Sequence, residues 1–419
     1  MLEQIRAHVA HNSDDYTEIR IHGVPRKPIV KVDVENDTVL NADERNDDDN
    51  DDTINQRKCN ECTISVNVRR SSLAGCWICI LTGLTSDKVY SIQIGTAKTT
   101  SNVNDDEKED SSSSMLTISF RTMTNSKSLG QHLLKIGILS DPHVNLSSYN
   151  GKRLYGAANE LLQKYGTKLI QDHKVDCIVL PGDICDSGND EELHIAANIL
   201  NPLRKHVPVY AVIGNHEYGQ KKFSKLLVPQ NPQQGYYSVD VTEHGIHMIF
   251  LATNTQDSLN HGTEQLEWLQ HDLKSTTTRK ATNDGNIDII LVFLHYSLVL
   301  HPLHDNGRWD DGLQVLDNAK YVLQLLHSYP SVRAVICGHK NVPSIVIDNK
   351  NLIHTLSPQL IQVPCGYDVI DVYKHGIRRC VYEIEEIELQ ETSRRAAGRY
   401  DAQTRWGIDE HRSFQHSWA

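Results

Sequence analysis

The stretch Lys135–Asn145, KIGILSDPHVN, begins as an apolar run and turns polar at Asp141 and His143. Packing alone gives no reason for a buried strand to end on a carboxylate and an imidazole two residues apart. Downstream, short apolar runs alternate with stretches of helical periodicity. GAANELLQKYGTKLIQDH is followed by DCIVL, then NDEELHIAANILNPLRKH, VPVYAVI, GIHMIFLAT, GTEQLEWLQHDLKS, IDIILVFL, AKYVLQLLHS, VRAVIC, PSIVID and NLIHTL. This alternation predicts an α/β domain with helices laid over a central sheet. In such sheets ligands gather beyond the carboxyl ends of the strands, which is where Asp141 and His143 fall.

Four further apolar runs end in the same way. Gly182 and Asp183 follow one in IVLPGDICD, and Asn215 and His216 follow another in AVIGNHEY. His295 closes IILVFLHY, and His339 closes AVICGHKN. A single Asp or His at a strand end is ordinarily a solvated loop residue, but a series of five serves no need of the sheet. Oxygen and nitrogen ligands without a thiolate suit Mn, Fe or Zn better than Ca or an iron–sulfur cluster. One carboxylate set between two ligand groups lets two metals sit about 3.5–4 Å apart, with a bridging hydroxide as the nucleophile toward a phosphoryl group.

Asp-x-His, Gly-Asp-x-x-Asp, Gly-Asn-His-Glu, a lone His and a closing Gly-His, in that order over roughly residues 132–385, resemble the motifs of the calcineurin-like metallophosphoesterases. The resemblance implies an αββα sandwich and a phosphoesterase using two divalent metal ions on a small phosphomonoester or phosphodiester. It implies that Asp141, His143 and Asp183 bind the first metal, that Asp183 bridges, and that Asn215, His295 and His339 complete the second. His216 resembles the general acid that protonates the leaving group, with Asp186 and Glu217 orienting the ligands from behind. LHYSLVLHP and SPQLIQVPCGYDVIDV resemble the cyclic-nucleotide phosphodiesterase branch. The chain departs from the family at GHKN, where Asn341 replaces a second histidine. Three readings stay open: Asn341 ligates through its oxygen, the first metal is held weakly, or His301 or His304 compensates. A binding or scaffold protein with a decayed metal site is the alternative to an enzyme.

Residues 18–124 read as a small all-β sandwich with acidic inserts at 41–58 and 101–114 that cannot bury apolar surface. Its later strands, LTGLTSDKVYSIQIGT and LTISFRT, resemble a fibronectin type III-like module. Purple acid phosphatases pair such a module with this catalytic fold, but Asp186 stands where they need a tyrosine. NSKSLG (125–130) reads as the linker and 386–419 as a helical tail. The 419 residues carry a net charge of −12, which is no electrostatic footprint for nucleic acid or an acidic membrane. No apolar run is long enough to span a bilayer. The first residues lack a signal peptide's apolar core, giving a cytoplasmic expectation. Of nine cysteines, Cys177, Cys185, Cys337, Cys365 and Cys380 read as reduced thiols. Cys59-x-x-Cys62 and Cys76-x-x-Cys79 resemble zinc-ribbon spacing, but the second pair lies in a strand pattern with no knuckle glycine. Strand packing is therefore the reading for it.

Overall fold

The computed structural model describes residues 126–217, 220–231, 234–255, 258–281, 287–301, 316–407 and 409–418, together with nine strands and Leu84 in the first 125 residues. The chain divides into two units, Met1–Ser128 and Leu129–Ala419, with the boundary inside NSKSLG.

The first unit contains two antiparallel sheets. One is ordered Arg6–Asn12, Tyr16–His22, Cys76–Thr82, Thr63–Arg70, Thr53–Lys58; the other Asp37–Asn41, Pro28–Val34, Val89–Thr96, Leu116–Arg121. Cys79 and Leu81 on one sheet, and Tyr90, Ile92 and Ile94 on the other, are buried at a spacing of two, as expected of strands with one inward face. The segment 41–58 is not wholly an insert. Thr53–Lys58 pairs in register with Thr63–Arg70, because TINQRK lies past the acidic run and carries none of its charge. Residues 101–114 lie outside the described residues, as do Cys59 and Cys62. Cys79 is a buried free thiol in its strand, and burial pushes its pKa up to about 12.

In the second unit the apolar runs build two six-stranded sheets. The first is ordered Val209–Val212, Cys177–Pro181, His132–Ile138, Gly366–Tyr373, Gly376–Glu383, Ser413–Ser417; its first three strands are parallel and the rest antiparallel. The second is ordered Tyr237–Val241, Ile246–Phe250, Ile289–Leu294, Val332–Cys337, Ile353–Leu356, Ser344–Ile347, with four parallel strands between antiparallel edges. IILVFL is buried at every position, the mark of a parallel strand covered on both faces. Its alternate residues go two ways. Leu291 and Phe293 join one core with Ile136, Ile138 and the helices Ala158–Gln171 and Asp190–Leu203. Ile290, Val292 and Leu294 join a second core with Leu266, Leu269 and Leu273 of the helix Glu264–Ala281 and Val322 and Leu326 of Ala319–His327. The layering is therefore helix, sheet, sheet, helix.

The tail is not helical throughout. After helices Ile387–Ala397, Arg399–Trp406 and Asp409–Arg412, residues Ser413–Ser417 form a strand paired with Gly376–Glu383. Five residues are too few for a period of two to stand out against a helical context, so only the sheet edge reveals the strand. Cys177, Cys185, Cys337, Cys365 and Cys380 are all free and buried. No helix among the described residues is long and apolar enough to cross a membrane.

His247 ties a strand of the second sheet to its neighbouring strand and to a covering helix. The ring is buried, with Nδ1 at 2.6 Å from Asp240 Oδ1 and Nε2 at 2.8 Å from Asp272 Oδ2. Both nitrogens donate, so the ring carries two protons. Burial lowers its pKa, but the hydrogen bond and charge of Asp272 and then Asp240 outweigh it and raise the pKa above the ordinary value. A raised folded pKa gives stability that is full below the unfolded value near 6.5 and is lost as pH rises through the folded one. The gap in urea-unfolding free energy between the parent chain and His247→Gln is expected to be widest below the unfolded value of about 6.5 and to shrink as pH rises above it. A gap independent of pH would show that the imidazolium contributes nothing.

Candidate metal centre

The carboxyl ends of five parallel strands, three in the first sheet and two in the second, meet at one edge. Asp141 and His143 lie just beyond His132–Ile138, Asp183 beyond Cys177–Pro181, and Asn215 and His216 beyond Val209–Val212. His295 directly follows Ile289–Leu294, and His339 and Asn341 follow Val332–Cys337. The backbone there is under strain. Asp141 (φ 49°), His143 (45°), Asp183 (48°), His339 (68°) and Asn341 (59°) are five of the eight described non-glycine residues with positive φ. Left-handed backbone costs of order 1 kcal/mol or more at such residues and persists only where the surroundings force it. Two glycines open the space. A Cβ on Gly182 would sit 2.3 Å from His295 Nδ1, and one on Gly338 would sit 2.7 Å from Asp141 Oδ2.

Two groups of ligand atoms form, and Asp183 belongs to both. His143, Asp183 and His216 make one; Asp183, His295 and His339 make the other. Within each, one atom per residue lies within 4.8 Å of the others. In the second group, His295 Nδ1–H donates to Pro181 O at 2.9 Å, which leaves Nε2 as the inward atom. That atom stands 3.2 Å from Asp183 Oδ1, 2.9 Å from Asn215 Oδ1 and 3.1 Å from His339 Nδ1. In the first, His143 Nδ1–H donates to Asp186 Oδ1 at 3.1 Å, and Nε2 lies 4.0 Å from Asp183 Oδ2. A carboxylate behind a histidine in this way fixes the tautomer that offers its other nitrogen to a metal. His216 donates its backbone N–H to Asp183 Oδ1 at 3.0 Å and Nδ1–H to Asp186 O, with Nε2 3.8 Å from Asp183 Oδ2. The structure thus puts His216, read from the sequence as an acid, among the potential ligands as well.

The charge pattern suits a cation. Burial raises Asp183, but His295, His143 and His216 together outweigh it and hold the carboxyl well below the usual range. Burial raises Asp141, and Asp183 adds to the rise against His295 and His143. Burial lowers His143, and burial together with His295 lowers His339 to about 2, so both rings offer lone pairs at neutral pH. His295, buried against Asp183 and Asp141, is raised to about 9; without a metal its Nε2 holds a proton in the position a cation would take. Asp141 Oδ1, His143 Nε2, His339 Nε2 and Asn341 Oδ1 are buried with no hydrogen-bond partner among the described residues. Leaving such atoms unpaired costs about 1–3 kcal/mol each. All four can act as lone-pair donors, so divalent metal ions fit the residues present.

Other contacts position the ligands. Glu217 is buried and accepts from Cys185 N at 2.9 Å and Gly214 N at 2.7 Å, strapping two motif loops together. Burial and Asp183 push its pKa up to about 8. Asp141 Oδ2 accepts from Ser140 Oγ–H and from His339 N–H, the latter at 3.2 Å. Three residues went unread in the sequence. Thr253 Oγ1 accepts from His295 N at 2.9 Å, Gln359 Nε2 donates to Asp141 O at 3.2 Å, and Arg153 stands near Asp186. Thr253 closes GIHMIFLAT, so its strand-end position was the available signal. His301 is in neither group, and its Nδ1 lies 3.3 Å from Ser344 Oγ; His304 lies outside the described residues.

The family described as calcineurin-like phosphoesterase matches residues 134–343, half of the chain. A glycerophosphodiester phosphodiesterase, GpdQ, of Enterobacter lignolyticus is 25% identical over 246 residues, covering 56% of this chain and 81% of that protein. A 3',5'-cyclic adenosine monophosphate phosphodiesterase, CpdA, of Vibrio vulnificus is 25% identical over 222 residues, covering 52% and 73%. Among solved structures, a dimetal phosphatase from Danio rerio aligns with TM-score 0.44 at 17% identity, covering 60% of this chain and 96% of that one. The chain belongs to the calcineurin-like phosphoesterase family and is a hydrolase of phosphoester bonds.

Because both ligand groups share Asp183, Asp183→Ala should remove more bound metal than the loss of any unshared ligand. Metal analysis after gel filtration should find the Asp183→Ala chain nearly empty, whereas Asn215→Ala keeps about one equivalent. Equal losses in the two variants would count against a shared carboxylate.

Proposed function

We propose, from membership of the calcineurin-like phosphoesterases, that this chain is a dinuclear phosphodiesterase of small substrates. The observation that carries the reading is Asp183, a buried carboxylate common to two ligand groups. Asp141, His143, Asp183 and Asn341 hold the first cation; Asp183, Asn215, His295 and His339 hold the second. Two divalent cations bound there supply Lewis acidity to the phosphoryl group and activate the attacking water. His216 gives the leaving-group oxygen its proton from Nε2, the nitrogen left free by the bond from Nδ1–H to Asp186 O. Asp186 and Glu217 keep His143 and the two motif loops in place. Support for the diester preference comes from the two relatives, both phosphodiesterases. A small diester such as a glycerophosphodiester or a cyclic nucleotide is the substrate class.

Two observations support Asn341 as a ligand. Its Oδ1 is buried without a partner, and its backbone repeats the left-handed turn of His339, whose own N–H is bound to Asp141. A carboxamide oxygen is neutral and harder than an imidazole, so the first site favours Mn over Zn and holds its ion more loosely than the second. Chelator competition should therefore strip one equivalent early from the parent chain, and Asn341→His should tighten that site about tenfold or more. If Asn341→His binds both ions as the parent does, Asn341 is no ligand.

The activity test uses chelated protein titrated with Mn²⁺, Zn²⁺ and Fe²⁺ on bis(p-nitrophenyl) phosphate and p-nitrophenyl phosphate. Metal-dependent turnover, faster on the diester and absent in Asp183→Ala, is expected. Folded protein that turns over neither substrate with any of the metals would leave a binding protein on this fold.

A further inference from the structure

The loop after the first motif brings one cation to the edge of the metal centre, loosely paired with a single carboxylate. Arg153 Nη1 donates to Tyr155 OH at 3.1 Å. The nearest carboxylate oxygen, Asp186 Oδ1, is 3.9 Å from Nη1, beyond hydrogen-bond reach. The remaining guanidinium N–H groups have no partner among the described residues, and the side chain is 28% exposed.

The mounting of Arg153 is rigid on both sides. Leu154 N–H donates to Ile361 O at 2.7 Å, Arg153 pairs with Gln362 in an isolated bridge, and buried Ser393 donates to Lys152 O at 2.6 Å. Ser140, beside the ligand Asp141, is paired with Gln359 in that same crossing segment. A long surface arginine ordinarily keeps its rotamer freedom. This one is carried on backbone locked to the strand end that presents Asp141, with a tyrosine to hold the guanidinium. Preorganised donors facing an anion are how phosphoryl sites bind without reorganisation, and an arginine fork suits two phosphate oxygens.

We propose that Arg153, held by Tyr155, binds a non-bridging phosphoryl oxygen of the substrate and of the phosphomonoester product, a subsite that inorganic phosphate probes. The inference deepens the phosphodiesterase reading and rests on it. Its test is calorimetric titration of inorganic phosphate into the Mn²⁺-loaded full-length chain, with bound metal measured in parallel. Arg153→Met should weaken phosphate about tenfold or more with metal content unchanged. Arg153→Lys, which keeps the charge but loses the fork, should weaken it less. Unchanged phosphate affinity in both variants would overturn the proposal. So would affinity falling only together with metal content, since Arg153 would then act on the site solely through Asp186. If Arg153→Met does not fold, Arg153→Lys with Arg153→Gln decides by the same criteria. A parent chain that binds phosphate but hydrolyses neither nitrophenyl ester would sink the enzymatic reading and leave the role of Arg153 standing. A metal-loaded parent chain that binds no phosphate would sink the role of Arg153.

Discussion

Asp141 and Asp183 are both buried, and the charge of Asp183 raises the cost of ionising Asp141. Two carboxylates out of water in one site repel, and each has lost its hydration. Positive charge has to be supplied from outside the pair. One histidine of the second sheet supplies part of it, as a proton: His295, despite its burial, is pushed up by Asp183, whereas burial pushes His143 and His339 down and leaves them neutral. Proton supply is incomplete, as the unpartnered Asp141 Oδ1, His143 Nε2, His339 Nε2 and Asn341 Oδ1 show. Cations resolve the repulsion and the orphaned lone pairs together, and the placing of the ligands follows from that need.

Holding repelling groups together takes stiffness, and the sheets provide it. Beyond the strand ends, pairing continues: His143 N–H donates to Asp183 O at 3.1 Å and Val144 N–H to Ile184 O at 2.7 Å. The first two motif loops are therefore an extension of the sheet ladder. Glu217 ties the second loop to the third, Thr253 fixes the start of the His295 segment, and Gln359 holds Asp141 O. Positive φ at Asp141, His143 and Asp183 is tolerated because these bonds tie the loops down. The strain and the straps are two sides of one arrangement: a looser loop would relax to an ordinary conformation and turn its side chain away.

The candidate metal ligands were legible in the sequence because each sits one to four residues beyond an apolar run, a local signal. IILVFL and VRAVIC read as buried strands from composition alone, and the polar residue that closes each is conspicuous against them. The contacts that align the ligands were not legible, since they join distant segments. Gln359 reaches Asp141 across 218 positions and Thr253 reaches His295 across 42. Nothing in LSPQLIQ distinguishes the glutamine that faces Asp141 from one that faces solvent. The strand Ser413–Ser417 was missed for the same reason, since it exists only because Gly376–Glu383 offers it an open edge. His216 was given a single role by motif, whereas its distance to Asp183 Oδ2, a three-dimensional fact, makes it a neighbour of the ligands.

The site also draws its two halves from different sheets, so the sheets must keep their mutual register. Their shared core of Ile136, Ile138, Leu291 and Phe293 is apolar and tolerates sliding, since such contacts have no direction. Arg379 supplies direction. It stands on Gly376–Glu383 of the first sheet, pairs with buried Asp368 at 3.0 Å, and donates to Leu356 O at 2.7 Å and Ser344 O at 3.3 Å in the second. A buried ion pair of this kind adds little net stability, because desolvation offsets most of its Coulombic gain. What it does fix is geometry, since any slide of one sheet over the other strands a charge with no water to receive it. The cross-sheet arginine and the shared Asp183 therefore solve one problem at two places: the carboxylate needs ligands from both sheets at ångström precision, and the arginine penalises every register but one.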